Sequence, residues 1–374
     1  MDLDLSEEQQ MLQDMARGML AEHSSIEVVR QTEDDPKGYP DTLWKQLGEL
    51  GLVGILIPEV HGGAGQSLME AALLYEELGR ALAPVPHLGS AVLGAGALLA
   101  QGSEAQRETW LPKLASGDAI LAPAWLEPDR GFGPEGVQLR ARAEGDDFVL
   151  SGTKRHVAFA SAADRLLVLA RSGDAPEQVD LFLVDPGAAG VELTQQLSLG
   201  SDAQYRVDFD GVRVPASERI GPAGSGWVTW DTLMLDVVVL LAAQAIGGAE
   251  RALEMTVEYA KERTQFDKPL GAFQAISHYL ADASTKVDGG RTLVYEAAWT
   301  RSRGGSITQL APMAKLFACQ TYRDVTAMGE QVFGGVGFTI EYDIQLFFRR
   351  AKQLQLSWWD TRHLEERVAG TVLD

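Results

Sequence analysis

A single cysteine, Cys319, stands in 374 residues. No intrachain disulfide can form, and no thiolate-rich metal site can be built. Basic residues are also scarce: Lys and Arg number 32 against 53 Asp and Glu, for a net charge of −21. A field of that sign repels nucleic-acid backbones and anionic headgroups, so neither nucleic acid nor membrane is an expected partner. A local basic pocket for a small phosphorylated ligand is compatible with the same balance. The six histidines are scattered with no two at metal-ligand spacing, so no metal is expected. His278 and His363 read as satisfied surface or interface residues. Neither standard glycine-rich phosphate loop occurs, and no Gly-x-Ser-x-Gly elbow exists for a serine hydrolase. The most apolar stretches, Leu88 to Ala100 and Val237 to Ala249, are 13 residues each and fall short of a bilayer span. The opening Met-Asp-Leu-Asp-Leu-Ser-Glu-Glu is acidic where a presequence would be basic, so a cytoplasmic setting is expected.

Hydrophobic residues make up 45% and charged residues 23%, ordinary globular values, and the length predicts two or three domains. Ser6 before Glu7, Glu8, Met11, Leu12 and Met15 reads as a capped amphipathic helix. Leu43, Leu47 and Leu50 continue the helical spacing to Gly51, and a glycine-rich loop follows at residues 57–65. Further helices are expected over Met69 to Leu82, Val92 to Leu99 and Gln106 to Leu114. Near residue 120 the period changes. Phe148 to Leu150, Leu166 to Leu169, Val179 to Val184 and Tyr205 to Phe209 are short apolar or alternating runs between turn signals, which suits an antiparallel sandwich or barrel. From Trp227 the chain is helical again, with expected helices over Val237 to Arg263, Ala272 to Arg303, Thr308 to Phe333 and Glu341 to Thr371. The expectation is an α+β multidomain chain: a helical domain over 1–119, a central β domain over 120–226, and a helical bundle over 227–374.

Two segments carry chemistry. Gln331-Val332-Phe333-Gly334-Gly335 ends a helix in two glycines; this reads either as a simple C-cap or as a place where another molecule approaches bare backbone. Arg263-Thr264-Gln265-Phe266 closes the long helix with a planar cation, an amide and a ring. That set suits a pyrophosphate beside an aromatic system, whereas a lone Arg there would simply complement the helix dipole. Trp358-Trp359 reads as core packing, or as the wall of a flat ligand site.

In order and over nearly the whole chain, these segments resemble the acyl-CoA dehydrogenase family. The resemblance rests on Leu5 to Gln9, Leu47 to Gly51, Ile57 to Gly63, Glu76 to Arg80, Leu150 to Lys154, Val212 to Pro215, Arg263 to Phe266 with Phe273 to Ala275, and Gln331 to Thr339. It implies an N-terminal helical domain, a central β domain and a C-terminal four-helix bundle. It also implies FAD, with Arg263, Gln265 and Phe266 reaching the FAD of a neighbouring subunit. Gln331, Val332, Gly334 and Gly335 would lie along the diphosphate and adenosine portion. The implied chemistry is α,β-dehydrogenation of an acyl-CoA thioester: a carboxylate takes the α-proton, hydride leaves to flavin N5, and electrons pass to an electron-transfer flavoprotein.

The sequence departs from the family where the chemistry occurs. Aligning Arg349-Arg350-Ala351-Lys352 places Trp358 at the usual Glu, and counting back from Arg263 places Val237 at the alternative Glu with Val238 at the Arg that follows it. Asp236, one residue earlier and about 100° round the helix, is the first candidate base. Asp360 is the second. On the flavin side, Leu126 replaces a hydroxyl residue, His156-Val157-Ala158 replaces Trp-Ile-Thr, and Asp267 replaces a glycine. Erosion of the base and flavin-ring side, with Arg263 and Gln265 retained, resembles the branch that works as α2β2 heterotetramers on bulky acyl groups such as steroid side chains. An unusual homotetramer, or a non-catalytic subunit completing a shared FAD site, would share some of these features.

Overall fold

The reciprocal cap expected at Ser6 is formed: Gln9 N donates to Ser6 Oγ at 3.2 Å, and Ser6 N donates to Gln9 Oε1 at 3.0 Å. It opens α1 (Glu7–His23) in a computed structural model that describes residues 4–373. There follow α2 (Ile26–Gln31), α3 (Asp41–Glu49), α4 (Leu68–Arg80), α5 (Ala95–Gln101, continuing a π-helical stretch at Leu88–Gly94) and α6 (Glu104–Ser116). Ser67 with Glu70 and Ser103 with Gln106 repeat the capping box at α4 and α6. The strands are β1 (Leu121–Ala124), β2 (Arg140–Glu144), β3 (Asp147–Ala158), β4 (Arg165–Arg171), β5 (Val179–Val184), β6 (Val191–Gln196), β7 (Gln204–Pro215) and β8 (Arg219–Ile220). Then come α7 (Gly226–Glu262), a hairpin of β9 (Thr264–Gln265) and β10 (Lys268–Pro269), α8 (Gln274–Ser302), α9 (Leu310–Phe333), α10 (Ile344–Leu356) and α11 (Thr361–Leu373).

The strands form one sheet in the order β6-β7-β3-β2-β4-β5-β8. Most pairs are antiparallel as expected, with β3 and β7 aligned from Asp147↔Pro215 to Ala158↔Gln204. Two contacts are parallel: β1 runs alongside β4 from Leu121↔Arg165, and β2 meets β4 at Arg140↔Arg171. All four residues of β1 are buried, and a fully buried strand is a plain apolar run whose sequence does not reveal its direction.

Two expected helices are redrawn. The long helix begins at Gly226 rather than Val237. The helix expected over Glu341 to Thr371 is two, α10 and α11, parted at Trp358 (φ 56°) and Trp359 (φ 77°), where non-glycine residues take the left-handed conformation.

The chain clusters into two units. One comprises the residues up to Val29, Ser67–Ala83 and Val238 onward, which brings α1 and α4 together with α8 to α11 and most of α7. Within it α4 and α7 touch backbone to backbone. A Cβ added at Gly79 would lie 2.0 Å from the Gln244 carbonyl oxygen, and one at Gly247 would lie 1.9 Å from that of Glu76. The other unit, Arg30–Gln66 and Pro84–Val237, holds α3, α5, α6, the sheet and the start of α7. By length and composition α7 passes the test for a bilayer span, with a window of mean hydropathy 1.8, but 72% of that window is buried inside the protein. An all-round apolar helix enclosed by protein is a core helix.

Candidate functional site

The β-rich unit fixes one loop with a buried ion pair. Lys154, on β3 and fully buried, donates to Glu127 Oε1 at 2.7 Å and to the Trp125 carbonyl at 3.2 Å. The same Glu127 oxygen accepts from Gln138 N and Leu139 N, each at 2.9 Å. Burial pushes the Lys154 ammonium down to about 8, and the neighbouring carboxylate opposes that shift. Arg155 N bonds the Leu126 carbonyl at 2.8 Å, so residues 125–127 are held from both sides. His156 (φ 53°) is exposed; its backbone N donates to Gln196 Oε1 at 3.2 Å and its Nδ1 lies 3.0 Å from Gln204 Oε1. Trp125 packs on Trp230 of α7 with ring centroids 5.3 Å apart.

At the two positions where the resemblance implies a base, Val237 and Trp358, the side chains are apolar. Val237 and Val238 are completely buried on α7, while Asp236 is half-buried beside them. In the turn between α10 and α11, Lys315 reaches from α9. Its buried Nζ donates to the carbonyls of Leu354 (3.1 Å), Ser357 (2.8 Å) and Trp359 (2.7 Å), and burial holds this ammonium below the usual lysine range. Trp359 is 1% exposed, with the Arg367 guanidinium 4.6 Å from its ring centre. Asp360 is the N-cap of α11: its Oδ1 accepts from His363 N at 2.9 Å. Trp358 stands half-exposed on this fixed turn.

The remaining candidates gather at one end of the helical unit. Arg263 N bonds the Tyr259 carbonyl at 2.8 Å at the end of α7. The Tyr259 ring stacks on Phe333, at the end of α9, with centroids 4.2 Å apart. Arg263, Gln265 and Phe266 are therefore linked through one stack to Gln331, Val332, Gly334 and Gly335. Phe266 (φ 52°) and Asp267 (φ 62°) form the two-residue turn of the β9–β10 hairpin, both left-handed as a type I′ turn requires. Asp tolerates that conformation better than most residues, which explains how it can stand where a glycine is usual. Phe266 is 87% exposed, while Arg263 and Gln265 are also exposed. Gly334 has φ 70°, and a Cβ built on Gly334 or Gly335 would meet nothing within 4 Å. Val332 alone of this group is buried. An exposed planar cation and an amide, with bare glycine backbone and a projecting ring at the same end of the unit, suit a diphosphate-linked aromatic cofactor.

Sequence reasoning assigned no role to Lys154, Lys315 or Glu330. The latter two lie on the buried stripe of α9 among Ala311, Ala314, Ala318, Tyr322 and Phe333. A lone charge inside a helical apolar stripe is the signal that could have found them.

Family models described as the N-terminal, middle and C-terminal domains of acyl-CoA dehydrogenase match residues 6–118, 122–212 and 224–357. A probable acyl-CoA dehydrogenase of Bacillus subtilis, YngJ, is 33% identical over 95% of both chains. Butyryl-CoA dehydrogenase from Megasphaera elsdenii matches with TM-score 0.92 at 30% identity over 100% of both chains. A chain of the ChsE4–ChsE5 complex from Mycobacterium tuberculosis matches with TM-score 0.90 at 29% identity over 100% of this chain and 99% of that one. The chain belongs to the acyl-CoA dehydrogenase family, oxidoreductases that act on CH–CH donors.

Proposed function

We propose that the chain is an FAD-binding subunit of a heteromeric acyl-CoA dehydrogenase, possessing one end of the cofactor site and depending on a second chain for the proton-abstracting carboxylate. The observation that carries this reading is the contrast between the two ends. Val237, Val238 and Trp358 fill the base and CoA-side positions, and Asp360 is committed to capping α11. Arg263, Gln265, Gly334 and Gly335 stay open. Bound FAD supplies the hydride acceptor. Arg263 answers a phosphate with a planar fork, Gln265 offers an amide, and the paired glycines let a ligand lie against the backbone. Lys154 and Glu127 fix the 125–127 loop. The likeness to ChsE4–ChsE5 supports a heteromer, and with it a bulky acyl group such as a steroid side chain; electron-transfer flavoprotein is the expected acceptor. The domain division 1–119, 120–226 and 227–374 serves as the functional one, and a cytoplasmic setting goes with it.

The test is to purify the chain alone and with a family member that carries the Glu, then record the visible spectrum before and after adding acyl-CoAs, from short straight chains to steroid side-chain thioesters. Flavin that bleaches only in the co-purified pair is the expected result. Bleaching by the chain alone would overturn the reading and make Asp236 the base. In that case Asp236→Asn would abolish turnover.

A further inference from the structure

Glu330 is 4% exposed, and its Oε2 is fully buried with no hydrogen-bond partner. Neither carboxyl oxygen bonds or ion-pairs with any of the described residues. A buried, unpartnered carboxyl is costly and rare in a folded chain, so it calls for a reason. Its location supplies one. Glu330 occupies the last turn of α9, immediately before Gln331 to Gly335, and a Cβ placed on Gly337 would lie 3.1 Å from its Oε2. The carboxyl therefore sits against Gly337 of the turn in which Gly334 and Gly335 have open space. The stack of Phe333 on Tyr259 ties it to the hairpin bearing Arg263.

We propose that Glu330 is a hydrogen-bond acceptor for the ribose hydroxyls of the adenosine portion of the bound dinucleotide, a specificity-determining residue of this chain. This rests on the FAD reading above. An ionised carboxylate only accepts hydrogen bonds and repels phosphate, so it excludes the diphosphate and favours hydroxyl donors; carboxylates read ribose hydroxyls in dinucleotide-binding folds for that reason. The division of labour is then complete at this end of the unit. Arg263 takes the negative charge, and Glu330 takes the neutral donors. Burial holds the Glu330 carboxyl above its ordinary range, consistent with a group still lacking its donor.

The experiment titrates FAD and FMN into the cofactor-stripped, intact assembly carrying either native Glu330 or Glu330→Gln, and records the melting temperature of each stripped form. The expected result is FAD affinity about tenfold weaker in the variant, FMN affinity unchanged, and a stripped form that melts no lower than the parent. FAD affinity equal within about twofold overturns the proposal, as does an equal loss for FAD and FMN, which would mark a folding defect. Dissociation of the variant assembly with unchanged FAD affinity also overturns it and assigns the carboxyl to a partner's cation. If even the parent fails to bind FAD, the underlying reading has failed, and that outcome is distinct from the others.

Discussion

Glu76→Gln should stabilise the protein increasingly as pH rises. Glu76 lies on α4, 2% exposed, where Tyr295 donates to its Oε2 at 3.3 Å and Arg291 Nε stands 3.5 Å away. Its Oε1 is buried without a partner among the described residues. Arg291 also binds Glu250 at 2.7 Å, so its attraction is shared, while the Glu250 and Glu77 carboxylates repel. Burial wins, and the carboxyl is pushed up from 4.5 to about 7. A carboxyl whose folded pKa exceeds its unfolded value binds more protons when folded. Its contribution is therefore fully present below about pH 4.5 and is lost as pH rises through about 7. At 1.36 kcal/mol per pH unit that loss is about 3 kcal/mol, and the group is too deeply buried for solvent to screen it away. Glutamine keeps the shape and removes the charge. Urea denaturation of the assembly at fixed protein concentration, from about pH 5 to about pH 8, reads the difference. The variant should exceed the parent by less than about 1 kcal/mol near pH 5 and by about 3 kcal/mol near pH 8. A difference that does not change with pH, or a variant less stable near pH 8, would refute the reasoning: pairing with Arg291 would then outweigh burial.

Two further outcomes follow from the site. Asp360→Ala removes the cap of α11 and should cost about 1 kcal/mol in denaturation while leaving turnover of the co-purified enzyme intact; abolished turnover would make Asp360 the base. Lys154→Met strands Glu127 as a buried charge and should cost about 3–5 kcal/mol, whereas a loss below about 1 kcal/mol would mean the ion pair does not hold the 125–127 loop.

Much of the fold is legible because its signals are local. Ser6 with Gln9, Ser67 with Glu70 and Ser103 with Gln106 announce helix starts by reciprocal bonding within four residues. The breaks at Trp358–Trp359 and Phe266–Asp267 are not legible, because bulky residues there adopt a backbone conformation that glycine or asparagine normally marks. What holds the first of these turns is long-range: Lys315 lies 39 to 44 residues from the carbonyls it binds. No local pattern in a single sequence predicts that three-way bond.

The candidate site was legible in its parts and opaque in its commitments. Sequence alone shows that Trp358 and Val237 are not carboxylates; the packing shows what the neighbouring groups do instead. Trp359 is enclosed, Asp360 Oδ1 caps α11, and the carbonyls around the turn are held by Lys315. The opposite end shows the converse economy. An 87% exposed Phe266 on a left-handed turn, open glycines and an unpartnered Glu330 are each unfavourable for an isolated chain. Unfavourable features persist when something outside the chain compensates them, and here they share one end of the helical unit. That asymmetry is the one the proposed reading requires: an end left open for a ligand and a neighbouring subunit, and base positions filled by apolar side chains.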